Sequence, residues 1–255
     1  MITTLIQSKT VDGMTIELHD YSNWHENPEE YLAQIATLSW GKSESKNPKA
    51  LWERLKTESG GNPSTVFEFL WCESLFDPYP QNMRWFMEAH LDNNIKFCPE
   101  WIKNNIITFK LKIPIYVKNQ LIRHRKASYN EVSLRRVKSG FEFHIPDRLE
   151  QYAEYFNVSF VIGGVASNPA SYYVKDCTKS MLKIYNKLLE MDVPPELARS
   201  VLPLSTMTTL WAQYTYTEKS WNNLLKLRLD HHTQTECREV VQAMKDLVDN
   251  NLYKQ

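Results

Sequence analysis

Glycine is scarce, with 7 among 255 residues, against an average usage of about 7%. Four of them stand in two pairs, Gly60-Gly61 and Gly163-Gly164, and no G-x-G-x-x-G occurs. A dinucleotide bound here therefore needs a cradle other than the Rossmann fingerprint. Cysteine is equally sparse. Cys72, Cys98, Cys177 and Cys237 are widely spaced, form no C-x-x-C, and are too few for a disulfide scaffold of this length. Reduced thiols are expected, and none stands in a His and Asn or Asp pattern that would activate a nucleophile. Net charge is also missing: 30 basic and 30 acidic residues cancel, which argues against a broad nucleic-acid interface. Long apolar runs are absent, none approaching the roughly 20 residues that span a bilayer. The opening MITTLIQSKT lacks the basic and apolar blocks of a signal peptide. The expectation is a soluble, cytoplasmic protein without membrane or direct nucleic-acid contacts. No Gly/Ser/Pro-rich linker divides the chain, so residues 1–255 read as one domain.

Against that neutral background one stretch stands out. From Arg123 to Lys138, sixteen residues hold six Lys or Arg and a single acid, Glu131. Ser128, Asn130 and Ser133 lie among the cations, a donor mixture suited to a phosphate ester. A solvated charged turn is the alternative. Ser128-x-x-Glu131 is also a capping-box pattern, and capping is the role expected of Ser128.

The surrounding pattern predicts both strands and helices. Residues 27–58 read as two helices stopped by Gly60-Gly61. Segment 70–103, rich in aromatics including Trp71, Trp85 and Trp101, shows no clean period; its tryptophans are expected in a small core rather than stacked on a ligand. Residues 106–113 alternate as a strand buried on one face. Pro114 then opens a helix that carries Gln120, Arg123 and His124 along one side. Further strands are expected at 141–145 and 158–162. A helix is expected at 171–191, with Val174, Cys177, Met181, Ile184, Leu188 and Met191 as its apolar stripe. A last long helix is expected over 208–229, with another possible beyond it. That helix directs Leu210, Trp211, Tyr214, Trp221 and Arg228 to one face, followed by His232 if it continues. An arginine aimed at a core requires an anionic or carbonyl partner, and an ordinary ion pair to a carboxylate is the simple account. His231 and His232 diverge on a helix, no carboxylate at suitable spacing completes a site, and no metal is expected. His19, His25, His90 and His144 are isolated, with surface or packing roles.

Arg123-His124-Arg125, seven residues, then Ser133 resembles the signature of flavin-dependent thymidylate synthases. IPIYVKNQLIRHR (113–125), FEFHIP (141–146), ARSVLPL (198–204) and NLLKLRLDHHTQTE (223–236) resemble that family's blocks in order, with weaker matches at LSWGK (38–42) and VFEF (66–69). The resemblance implies an α/β (α+β) fold of the family's own, a mixed or antiparallel sheet with helices, assembled as a homotetramer with FAD among the subunits. It implies transfer of a one-carbon unit from methylenetetrahydrofolate to C5 of dUMP, with NADPH reducing the flavin. Gln120, Ser133, Arg135 and Arg199 would hold the nucleotide, and Arg228 would face the pyrimidine as the catalytic cation. Arg123, His124, Arg125, Glu131, Asn223, His232 and, more weakly, Ser39 would contact or support FAD. These roles suit the chemistry: forked guanidinium groups and a hydroxyl fit a phosphate dianion, and a fixed cation fits a ring that gains negative charge.

The chain departs from the pattern in places. A histidine expected after the Phe-Glu of the early block is Phe69 or, with the insertion placed earlier, Asn105. The aromatic that normally follows the second motif arginine is Arg136. Residues 70–103 read as an insertion atypical of the family, and TYTEKS replaces an Asn-containing stretch. These changes fall on the side that meets flavin, folate and base. The alternative is therefore a divergent enzyme that methylates dCMP or leaves a hydroxymethyl group on dUMP or dCMP. A nucleotide- or nucleic-acid-binding module without catalysis is the remaining reading.

Overall fold

The computed structural model describes residues 4–20, 28–42, 45–55, 106–158, 164–216 and 218–251. Segment 70–103, Gly60-Gly61, Phe69, Asn105, His25 and His90 lie outside them.

Five strands form a sheet: β1 (Thr4–Val11), β2 (Met14–Asp20), β3 (Ile106–Pro114), β4 (Ala127–Glu131) and β7 (Met207–Thr215), in the order β1-β2-β3-β7-β4. Every pairing is antiparallel. A separate hairpin joins β5 (Ala153–Val158) to β6 (Gly164–Pro169). The helices are α1 (Pro28–Thr37), α2 (Pro48–Leu55), α3 (Ile115–Leu121), α4 (Ala170–Glu190), α5 (Pro195–Ala198), α6 (Asn223–Arg228) and α7 (Thr235–Asn251).

The core lies on one face of the large sheet. Met14, Ile16 and Leu18, with Ile107, Phe109, Leu111, Ile113, Leu210, Ala212 and Tyr214, meet Val117 and Leu121 of α3 and Val240, Val241, Met244 and Val248 of α7. The alternation expected of 106–113 is the reason: odd positions are buried, while Lys110 and Lys112 are only partly covered. Each fully buried Leu, Ile or Phe contributes roughly 1.5–3 kcal/mol of transfer free energy. On the opposite face Gln213 Nε2 donates to Tyr31 Oη (3.3 Å), and Asn130 Nδ2 donates to the Ile35 carbonyl (2.5 Å), fixing α1 there.

Several expectations are corrected. The helix anticipated over 208–229 is strand β7, a π-turn at Glu218–Asn222 and the short α6. β7 is buried on both faces, so Leu210, Trp211 and Tyr214 satisfy a helical spacing without forming a helix. The strand expected at 141–145 is reduced to one bridge, Phe143 with Thr206. The strand sought at 158–162 begins earlier, at Ala153, and residues 159–162 lie outside the described set. Strand β4 contains Ser128 and Glu131, which leaves no helix for them to cap. The α4 stripe is only partly realised, with Cys177, Ile184 and Met191 exposed. The β1-β2 hairpin was not anticipated, although Asp12-Gly13 marks it. Both residues have positive φ (45° and 72°), the two-residue turn that suits the twist of paired strands.

Candidate active site

The basic motif occupies the turn between α3 and β4. The helix ends at Leu121, and the His124 N–H donates to the Leu121 carbonyl (2.9 Å), so Arg123 and His124 do not share a helical face with Gln120. Instead they diverge: Arg123 and Arg125 are exposed, while His124 is 4% exposed. Tyr129 fixes this turn by donating to the carbonyls of Leu121 (3.0 Å) and His124 (3.1 Å). Ser220 Oγ, in the π-turn, donates to the Lys126 carbonyl (2.5 Å) from the other side.

Arg228 ends α6, pointing back toward this turn. Its Nε is buried and has no hydrogen-bond partner among the described residues, and the same holds for His124 Nε2. The ordinary ion pair anticipated for Arg228 is therefore absent among those residues. Burial first, then the neighbouring Arg228 charge, hold His124 below its usual pKa, partly offset by a hydrogen bond to the Ser220 backbone. The ring is accordingly neutral near neutral pH. Tyr129 and Tyr214 line the same region, and burial pushes both hydroxyls up. Burial also raises the Cys237 thiol to about 11, so it is no thiolate nucleophile.

Gln120 Nε2 donates to Gln234 Oε1 (2.5 Å), joining α3 to the turn before α7. Ser133 sits beyond β4, where its N–H donates to the Ser39 carbonyl (3.0 Å). Ser39 Oγ donates to the Ala36 carbonyl (2.9 Å) and accepts from Arg136 at 3.5 Å. Gly41 makes this approach possible: its φ is +67°, and a Cβ there would meet Val137 Cγ2 at 3.0 Å. Glu131 is paired with Lys118 (3.0 Å), and Arg135 is exposed. Asn223 opens α6 and is half-buried.

Two expected members stand apart. Arg199 lies in a short 3-10 turn, where its Nε donates to the Glu196 carbonyl (3.3 Å). His232 lies beyond the end of α6 and is exposed; its ring and backbone N–H both meet Asp230 Oδ1 at 2.8 Å. These contacts hold the Asp230 carboxyl below its usual range. Asp230, His231 and His232 thus bring donor atoms within 4.8 Å of one another, correcting the expectation that no carboxylate reaches the histidines. All three are exposed.

Sequence reasoning also missed a buried polar chain. His144 Nε2 lies 2.8 Å from the Asp12 carbonyl and 3.1 Å from Asp12 Oδ2, and Nδ1 lies 2.6 Å from the Tyr116 hydroxyl. Nothing in the spacing of Asp12 and His144 signalled this; only the fold brings the hairpin tip to residue 144.

A family model described as "Thymidylate synthase complementing protein" matches residues 17–252. The chain belongs to this family. Curated relatives named flavin-dependent thymidylate synthase include that of Pseudothermotoga lettingae, 36% identical over 140 residues, covering 54% of this chain and 59% of the relative. The protein of the same name from Aquifex aeolicus is 32% identical over 143 residues, covering 55% of this chain and 44% of the relative. The chain thus spans well under two thirds of the length of these family members. A crystal structure of the UMP/dUMP methylase PolB from Streptomyces cacaoi bound with 5-Br dUMP is 20% identical, covering 97% of this chain and 89% of that one, at a TM-score of 0.48. No helix among the described residues is long and apolar enough to cross a membrane.

Proposed function

We propose that this family member binds a pyrimidine deoxynucleotide monophosphate and, with FAD, transfers the methylene of methylenetetrahydrofolate to C5, converting dUMP to dTMP. The names of its relatives support the reaction class. The observation that carries the reading is Arg228, whose buried Nε has no partner among the described residues and lies beside a neutral His124. Arg228 is half-buried, and a donor such as its Nε that is buried without a partner costs about 1–3 kcal/mol unless a ligand completes it. The carbonyl edge of a pyrimidine, which gains negative charge as C5 is activated, is a fitting partner.

In this reading Ser133 and Arg135 receive the nucleotide phosphate, and Gln120, held by Gln234, orients the nucleoside. FAD fits the donor set. His124 Nε2 and Arg228 Nε are orphaned polar atoms, and the exposed Arg123 and Arg125 carry forked donors suited to a diphosphate. Asn223, Glu131, His232 and Ser39 would support it. Bound flavin supplies hydride, drawn from NADPH. This chain's residues position the base and keep His124 neutral.

Arg199 lies in a turn packed beside α4; Ile184 of that helix, and Met191, Leu197 and Leu204 beyond its end, are 51–64% exposed. A homotetramer would cover these side chains and would let Arg199 serve the site of a neighbouring copy.

The test is incubation of FAD-loaded protein with methylenetetrahydrofolate, NADPH and either dUMP or dCMP, with the product identified by mass. A methyl-sized gain on dUMP is expected. Gain only on dCMP, or a hydroxymethyl-sized gain, replaces this reaction with the divergent one suggested by Arg136 and by Phe69 or Asn105 in place of the family's histidine.

A further inference from the structure

Beside the motif lies a cavity of about 700 Å³ that the nucleotide reading does not use. It is walled by Trp40, Lys42, Lys46, Asn47 and Arg54, among others. The Arg54 guanidinium lies 4.5 Å from the centre of the Trp40 ring, and that of Arg136 lies 4.9 Å from it. Two guanidinium groups on one indole stand within about 10 Å of each other. Such a pair repels unless an anion lies near, although each gains from the ring itself. Lys42, Lys46, Arg54 and Arg136 have no carboxylate partner among the described residues; the ion pairs found there involve other side chains. Arg136 also bonds Ser39, whose carbonyl holds the Ser133 N–H, so cavity and motif share a wall.

We propose that this cavity binds a flexible oligocarboxylate chain, and that the chain is the glutamate tail of the folate co-substrate. The second half rests on the reaction proposed above. Three cations spread over an open cavity, Lys42, Lys46 and Arg54, with Arg136 against the Trp40 ring, suit several carboxylates linked along a chain better than one compact anion, which forked guanidinium groups would enclose. The indole and the aliphatic stems of Lys42, Lys46 and Arg54 offer apolar surface to the methylenes between those carboxylates.

Calorimetric binding to the FAD-loaded protein tests the site. The probes are tetrahydrofolate with one glutamate, tetrahydrofolate with three, and free tri-γ-glutamate, each with dUMP present. Tighter binding of the three-glutamate form is expected, roughly tenfold, the scale of a few added exposed ion pairs. Lys46→Glu and Arg54→Gln should each shrink that ratio about threefold or more, with dUMP affinity and the flavin spectrum unchanged. Arg54→Lys should keep most of it. Equal affinity for both folates, or a ratio indifferent to the substitutions, overturns the site and leaves the proposed reaction standing. Loss of FAD on Lys46→Glu also overturns it, assigning the cavity to the flavin. Binding of free tri-γ-glutamate, sensitive to both substitutions but without folate binding, upholds the oligocarboxylate site while the folate part of the reaction fails.

Discussion

Arg228 and His124 form an unusual neighbourhood: a fixed cation and a neutral imidazole, each with a buried nitrogen lacking a protein partner among the described residues. Their roles separate on substitution. Arg228→Ala should lower turnover about 100-fold or more, the scale of a lost donor at developing charge, with a smaller change in nucleotide affinity. Arg199→Ala should instead weaken every deoxynucleotide monophosphate alike; binding and single-turnover measurements on both variants check this. His124 makes a pH prediction. Its pKa is lower folded than unfolded, so the unfolded chain takes up a proton first as pH falls below about 6.5. Its share of stability is intact above that pH, declines as pH falls toward the folded value, and changes no further below it. Denaturation midpoints from pH 7.5 down to 5 should therefore fall less steeply for His124→Gln than for the parent chain.

At the level of elements, Trp221 shows what holds α6 in position. It is 1% exposed, stacks on Phe109 with centroids 5.8 Å apart, and meets Tyr214 edge-on. Trp221→Ala should cost about 3–5 kcal/mol, read as a shift in the urea midpoint, and should loosen Arg228 with it. Gly13→Ala, at a φ of +72° with open space around it, should cost about 1 kcal/mol through backbone strain alone. Which elements could be read beforehand follows from burial. β3 and α4 were readable in their positions because β3 buries one face more deeply than the other and α4 has a long helical period. β7 was not, because both its faces are covered and its apolar residues fit either period. The motif cations were visible as charge, yet the divergence of His124 from Arg123 depended on a helix ending at Leu121, which spacing did not reveal. The Trp40 stack joins residues about a hundred positions apart and leaves no local trace.

For the whole molecule, the exposed side chains along α4 and after it make assembly testable. Ile184→Lys combined with Met191→Lys should convert the expected tetramer to smaller species in light scattering, with far-UV circular dichroism unchanged. Nucleotide turnover should fall with it if Arg199 serves a neighbouring copy. The packing of α7 on β1 and β2 has a consequence of another kind. Lys9 bonds Asp246 across 237 positions (2.5 Å), and Asn251 Nδ2 donates to Gln7 Oε1 (2.7 Å). During synthesis at about 5–20 residues per second, the first hairpin waits roughly 10–50 s for its covering helix. Throughout that interval Met14, Ile16 and Leu18 face water, so the nascent chain is a natural client for chaperones that shelter unpaired apolar strands, and its yield in the cell should depend on them.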